Sequence, residues 1–148
     1  MDSEISLTDD LLSLPWMATV LTDTHFFQRD RMGRIMVFLA RATKSGWGGA
    51  AGPLGVAVSE HTAVLVDGAT GDAVFTGVGP VYLLSGGKIK TCDEDHPLGF
   101  EDVDILKWNG TMSARSTYSF AKRAGTHLEP YKLSAVKGRL VSTTGSIY

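Results

Sequence analysis

Residues 16–43 read WMATVLTDTHFFQRDRMGRIMVFLARAT, and this stretch decides the fold class. Residues 16–22 form a short apolar run with β-branched members, which predicts a strand. From about Gln28 to Thr43 the period changes. Met32, Ile35, Met36, Leu39 and Ala42 recur at spacings of three and four, which predicts a helix with one apolar face. Between the two lies a dense polar segment, residues 23–34, with Asp23, His25, Gln28, Arg29, Asp30, Arg31 and Arg34. A strand that feeds a helix is the opening of an α/β unit.

The polar segment starts where the strand is expected to end. In open α/β sheets, ligands bind beyond the carboxyl ends of strands. A histidine there exchanges protons near neutral pH. Alternation along extended backbone places Asp23 and His25 on one side, so that Asp23 orients the ring or holds a cationic ligand. Arg31 and Arg34 share a helix face. Cations at a helix N-terminus oppose the helix dipole. They therefore call for an anionic partner, either a substrate carboxylate or one of Asp23, Asp30 and Glu60. The plainer reading is a boundary histidine beside two phenylalanines, with arginines ion-paired on a solvated face.

Working outward, residues 45–53, SGWGGAAGP, are expected to form a loop. Strands are expected at 54–59 and 62–67. Residues 72–90 read as a hairpin or meander turning at Gly86–Gly87, and 102–108 as a strand closed by Asn109–Gly110. Residues 114–125 predict a short helix ending at Gly125, and the tail an edge strand. Residues 1–15 are a lead-in, with a short helix over 8–14 capped by Thr8. No repeat or linker divides the chain, so residues 1–148 are read as a single domain. A sheet buried on both faces by helices needs more of them than this chain patterns. The chain therefore reads as part of a larger α/β unit.

The bulk numbers exclude several classes. The chain has 148 residues, 43% hydrophobic and 20% charged, with a net charge of −2 and a pI near 6.0. It lacks the basic face of a nucleic-acid binder. No apolar run reaches the roughly 18 residues of a membrane span. The polar start, MDSEISLTDD, is unlike a secretory signal, and a cytoplasmic location is expected. Cys92 has no second cysteine to pair with and reads as structural. His25, His61, His96 and His127 are scattered, and CDEDH at 92–96 reads as a polar loop, so no metal is expected. No phosphate-binding glycine motif stands between a strand and a helix, and no cofactor is expected.

Residues 23–34 resemble the cyanophycinase branch of the peptidase E-like serine peptidases. Asp23, His25, Phe26, Arg29, Arg31, Gly33 and Arg34 match the pattern D-x-H-F-x-x-R-x-R-x-G-R. GVAVSEHTAVLVD, 55–67, is similar to the family's G-I-G-I-D-E-x-T-A segment, with Glu60, Thr62 and Ala63 in place. VFTGVGPVYLL, 74–84, echoes a V-x-G-x-G-x-V-Y-x-L pattern. Residues 16–90 carry the match. The resemblance implies part of a three-layer αβα sandwich like the class I glutamine amidotransferase domains. It implies a serine exopeptidase that hydrolyses β-aspartyl-arginine isopeptide bonds. His25 would be the base, and Asp23, Thr24, Arg29, Arg31 and Arg34 would line the substrate pocket. Glu60 is a candidate for substrate contact or structural pairing. The third triad member is unassigned.

The chain also departs from the pattern. Thr24 stands where cyanophycinases usually carry glutamine, and Ser59 replaces an aspartate. No G-x-S-A-G turn precedes His25; Ser3, Ser6 and Ser13 lack flanking glycines, and Ser45 and Ser113 lack a strand–turn–helix setting. The N-terminal half of the family's domain is missing. The expectation is a C-terminal half that acts with a complementary N-terminal chain or as a homo-oligomer on an Asp/Arg-containing substrate. It should then expose an apolar sheet edge and face. The alternatives are a non-catalytic binding or regulatory subunit, or a truncated pseudo-enzyme.

Overall fold

The strand-to-helix unit read from residues 16–43 is present. In the computed structural model, which describes residues 16–110 and 115–148, strand β1 (Val20–Thr24) leads into helix α1 (Met32–Lys44) and on to strand β2 (Leu54–Val58). β1 and β2 pair in parallel, so the helix is the crossover that parallel pairing requires. Strand β1 sits later than residues 16–22. Trp16–Thr19 form a turn, with Val20 N–H donating to the Met17 carbonyl at 2.9 Å. The Trp16 ring lies over Gly71, where a Cβ would come within 2.6 Å of it. Asp23 and Thr24 are consequently inside the strand rather than beyond it.

Helix α1 starts four residues later than the periodicity predicts, because Asp30 at φ +48° breaks the helical backbone. Its C-terminus is closed by a Schellman arrangement. Gly46 N–H bonds the Thr43 carbonyl and Trp47 N–H the Ala42 carbonyl, with Gly46 at φ +76°. Arg41 and Lys44 in the last turn complement the dipole. The apolar face, Met32, Ile35, Met36, Leu39 and Ala42, is buried as its spacing predicts. Each fully buried large side chain contributes about 1.5–3 kcal/mol of transfer free energy.

β2 continues into an antiparallel run: β5 (Val81–Thr91), β6 (Gly99–Trp108), β9 (Glu129–Val136) and β10 (Arg139–Ser142). The sheet order is β1-β2-β5-β6-β9-β10. A second antiparallel sheet holds β3 (Thr62–Val66), β4 (Asp72–Gly77), β7 (Ser116–Ser119) and β8 (Ala124–Gly125). Alternation along β5 sends Tyr82 and Leu84 toward α1 and Val81 and Leu83 into the other core, with Phe75 and Tyr118 of the second sheet. The architecture is thus mixed α/β, mostly strands, with one helix and two sheets. The larger sheet is covered by α1 on one face and by the second sheet on the other. That second cover corrects the expectation that further helices are needed and that a face stays bare. Among the described residues the open border at this end of the sheet is the edge of β1.

Two other expectations fail for local reasons. Gly86 and Gly87 lie inside β5, not at a turn. At φ +68° and +93° they bend the strand opposite Asp102, itself at φ +57°. A Cβ on Gly87 would stand 2.6 Å from the Phe100 ring. Gly87→Ala is therefore expected to cost about 1–3 kcal/mol, read as a lower midpoint in chemical denaturation. Residues 114–125 hold β7 and β8 rather than a helix. Ser116 and Tyr118 are buried while Thr117 is exposed, a period of two that wins over the short helical pattern. Ser113 and Thr111 lie outside the described residues, as does the lead-in over 1–15 with its expected helix. The expected edge strand in the tail is present as β10, joined to β9 through Lys137 and Gly138, both at positive φ, as a two-residue hairpin loop demands. Cys92 is buried in the α1-side core, where burial pushes its thiol pKa up.

Candidate functional site

The site forms where β1 ends. Phe26 N–H bonds the Val58 carbonyl, which draws the chain after Thr24 across the end of β2. His25 sits at φ +51°, an uncommon conformation for a non-glycine residue that ends the alternation of the strand. Asp23 and His25 therefore have different fates, contrary to the shared side expected for them. The turn 26–31 closes with Arg29 N–H to the His25 carbonyl, Asp30 N–H to the Phe27 carbonyl and Arg31 N–H to the Phe26 carbonyl.

Asp23 is buried, and its carboxylate is taken up by the arginines. Arg34 Nε donates to Oδ2 at 2.9 Å, Arg34 Nη2 donates to Oδ1, and Arg31 Nη1 lies 3.3 Å from Oδ1. Arg31 also donates to the Thr24 carbonyl at 2.7 Å. The hydrogen bond to Asp23 raises the Arg34 pKa further. Of the anions considered for these arginines, Asp23 is the one they hold. The carboxylate that meets His25 is Glu60, with Oε1 2.7 Å from Nδ1. Glu60 belongs to the β2–β3 turn, where His61 is at φ +55°. Gln28 ties that turn to the first, its Oε1 accepting from Glu60 N–H at 3.1 Å. Thr62 Oγ1 accepts from Gly79 N–H at 2.8 Å and braces the turn from below.

An open cavity of about 410 Å³ lies here, lined by Thr24, His25, Val58, Ser59, Glu60, His61 and Thr62. His25 is half-exposed and Glu60 about one-third exposed. The hydrogen bond from His25, helped by the charges of His61 and Arg29, holds Glu60 below its ordinary pKa of 4.5. A carboxylate on Nδ1 fixes the neutral ring with the proton on that nitrogen, leaving Nε2 as the accepting atom. The structure thus brings together His25, Thr24 and Glu60 at one cavity and places Arg29 beside them. It holds Arg31 and Arg34 on Asp23. Sequence spacing does not reveal Gln28 or the Glu60–His25 contact, which spans 35 residues.

The depressed Glu60 pKa has a definite pH consequence. A group whose folded pKa lies below its unfolded value stabilises fully above the unfolded pKa. That contribution is lost as pH falls through the folded value. The His25–Glu60 contact is expected to be fully present above pH 4.5 and to open only at lower pH, as the carboxylate protonates at its depressed folded value. Carbon-detected NMR of the Glu60 carboxyl checks this, and Glu60→Gln should remove that part of the acid dependence of stability.

Ser59, the serine nearest in sequence to Glu60, is buried, and its Oγ has no hydrogen-bond partner. Ser45 is the C-cap of α1, at the end of a 13-residue helix whose other end faces the site; a helix of that length spans about 20 Å. Neither stands on a strand-to-helix turn. Among the described residues, no three His, Cys, Asp or Glu side chains converge as a metal site, and no helix is long and apolar enough to cross a membrane. No family model, curated protein or solved structure matches the chain.

Proposed function

We propose that this chain is the base-carrying portion of a serine peptidase of the cyanophycinase and peptidase E-like kind, hydrolysing β-aspartyl-arginine isopeptide bonds. The observation that carries the reading is the Glu60–His25 pair at the carboxyl end of a parallel strand, open to a cavity. In this reading Glu60 fills the role of third triad member. It holds the imidazole so that Nε2 takes the proton of an attacking serine and returns it to the leaving amine. In this reading Arg29, and the guanidinium donors of Arg31 and Arg34 not spent on Asp23, would meet substrate carboxylates that reach beyond the cavity. Asp23 acts by orienting those arginines.

The serine comes from a complementary chain. The edge of β1, unpaired among the described residues, supports this, since an unpaired strand edge is a template for a further strand. A strand added parallel to β1 would end at the same sheet border as His25. In this reading that chain continues the sheet at β1, and the second sheet stands where an αβα sandwich has its other helical layer. Native mass spectrometry of protein purified from its source tests the assembly. A second chain with a glycine-flanked serine is the expected result. A lone chain or a homo-oligomer counts against it.

One observation favours a second reading, a non-catalytic binding or regulatory subunit. Ser59, the serine lining the cavity, is buried. A partner chain without a suitably placed serine would establish that alternative.

A further inference from the structure

The turn that carries His25 is closed by a residue far away in sequence. Tyr148 Oη accepts from Met32 N–H at 3.0 Å and donates to Asp30 Oδ1 at 2.6 Å. Helix α1 has no side-chain cap from its own N-cap residue, Arg31. The phenol therefore satisfies one of the backbone donors that a helix start leaves open. Its ring meets Phe27 edge-on at 5.3 Å, and Phe26 and Tyr82 at 6.0 Å. Phe26 is fully buried and adjoins His25. Behind it, Tyr131 Oη donates to the Ile147 carbonyl at 2.9 Å, tying the tail to β9. Two hydrogen bonds of one phenol oxygen thus span the end of the turn, and its ring packs on the start. Asp30, at positive φ, lies within that span, and His25, also at positive φ, immediately precedes it. Left-handed conformations of this kind persist only where the surroundings over-determine them.

We propose that Tyr148 is a positioning residue for His25. Its hydroxyl and ring lock the turn 26–31 and thereby set the imidazole against Glu60. The inference rests on reading the His25–Glu60 pair as the functional site.

The test compares the full chain with Tyr148→Phe, which keeps the ring and removes the hydroxyl. The readout is the titration of the Glu60 carboxyl by carbon-detected NMR, which a merely structural role would leave in place. The midpoint is expected to rise toward 4.5 in Y148F. Asp104→Asn, which removes the Lys132–Asp104 pair on β6 and β9, is expected to leave it unchanged. The Met32 amide is expected to exchange with solvent about tenfold faster in Y148F, as loss of one hydrogen bond implies. An unmoved Glu60 midpoint in Y148F overturns the proposal, whether or not the melting temperature falls. So does a Met32 amide that exchanges without protection in the unmodified chain, a measurement that needs no variant to fold. A Glu60 carboxyl that already titrates at its ordinary value in the unmodified chain removes the pair, and the site reading falls with it.

Discussion

Asp23→Asn is expected to destabilise the fold by about 3 kcal/mol, the order seen when one partner of a buried ion pair is removed. The Asp23 side chain is 4% exposed, and it answers two guanidinium groups. Arg31, the N-cap residue of α1, and Arg34 in its first turn both meet the same Asp23 oxygen, so their charges repel when the carboxylate is gone. The asparagine amide also turns a donor toward donors. Because Arg31 reaches the Thr24 carbonyl as well, the loss frees the end of β1 from the start of α1. For a chain of this size the expected fall in melting temperature is roughly 10 °C. Thermal denaturation followed by circular dichroism measures it. A change under about 1 kcal/mol, the range of surface pairs, would mean that the cluster is solvated and not a buried brace.

The second large effect is catalytic. In the completed assembly His25→Ala should lower kcat by about 10³-fold or more, since a positioned general base contributes about 10²–10⁴-fold. Glu60→Gln should lower it by about 10²-fold with little change in KM, because it disturbs the ring's tautomer and aim rather than substrate binding. Arg29→Ala should act mainly on KM. Full activity after His25→Ala would show that the base lies elsewhere.

How much of this is legible in the chain varies by element. The change from a β-branched run to a 3.6-residue period is a local signal, and it locates the body of α1 and its buried face, though not its first turn. β2 and β3 are legible for the same reason, as short apolar runs separated by Glu60 and His61. The Gly86–Gly87 pair misleads because positive φ serves a strand bend as well as a turn, and only Phe100 across the sheet distinguishes them. The second sheet is hidden because strands β4 and β7 that pair in it lie about 40 residues apart.

The site divides in the same way. His25 and the arginines stand out as a cluster of polar residue types. Their partners do not: Asp23 goes to the arginines and Glu60 to the histidine, a choice made by the positive φ at His25. Tyr148 has no local signal, since its bonds to Asp30 and Met32 cross more than 115 residues. Pairings over such distances follow from tertiary packing, which composition and spacing do not encode.

The most direct test of the central claim is hydrolysis of a β-aspartyl-arginine substrate by the assembly isolated from its natural source. The account predicts release of the amine product, lost on modification of a serine in the partner chain and lost again with His25→Ala. An assembly that binds the substrate but does not cleave it would contradict the account and leave the His25–Glu60 cavity as a binding site.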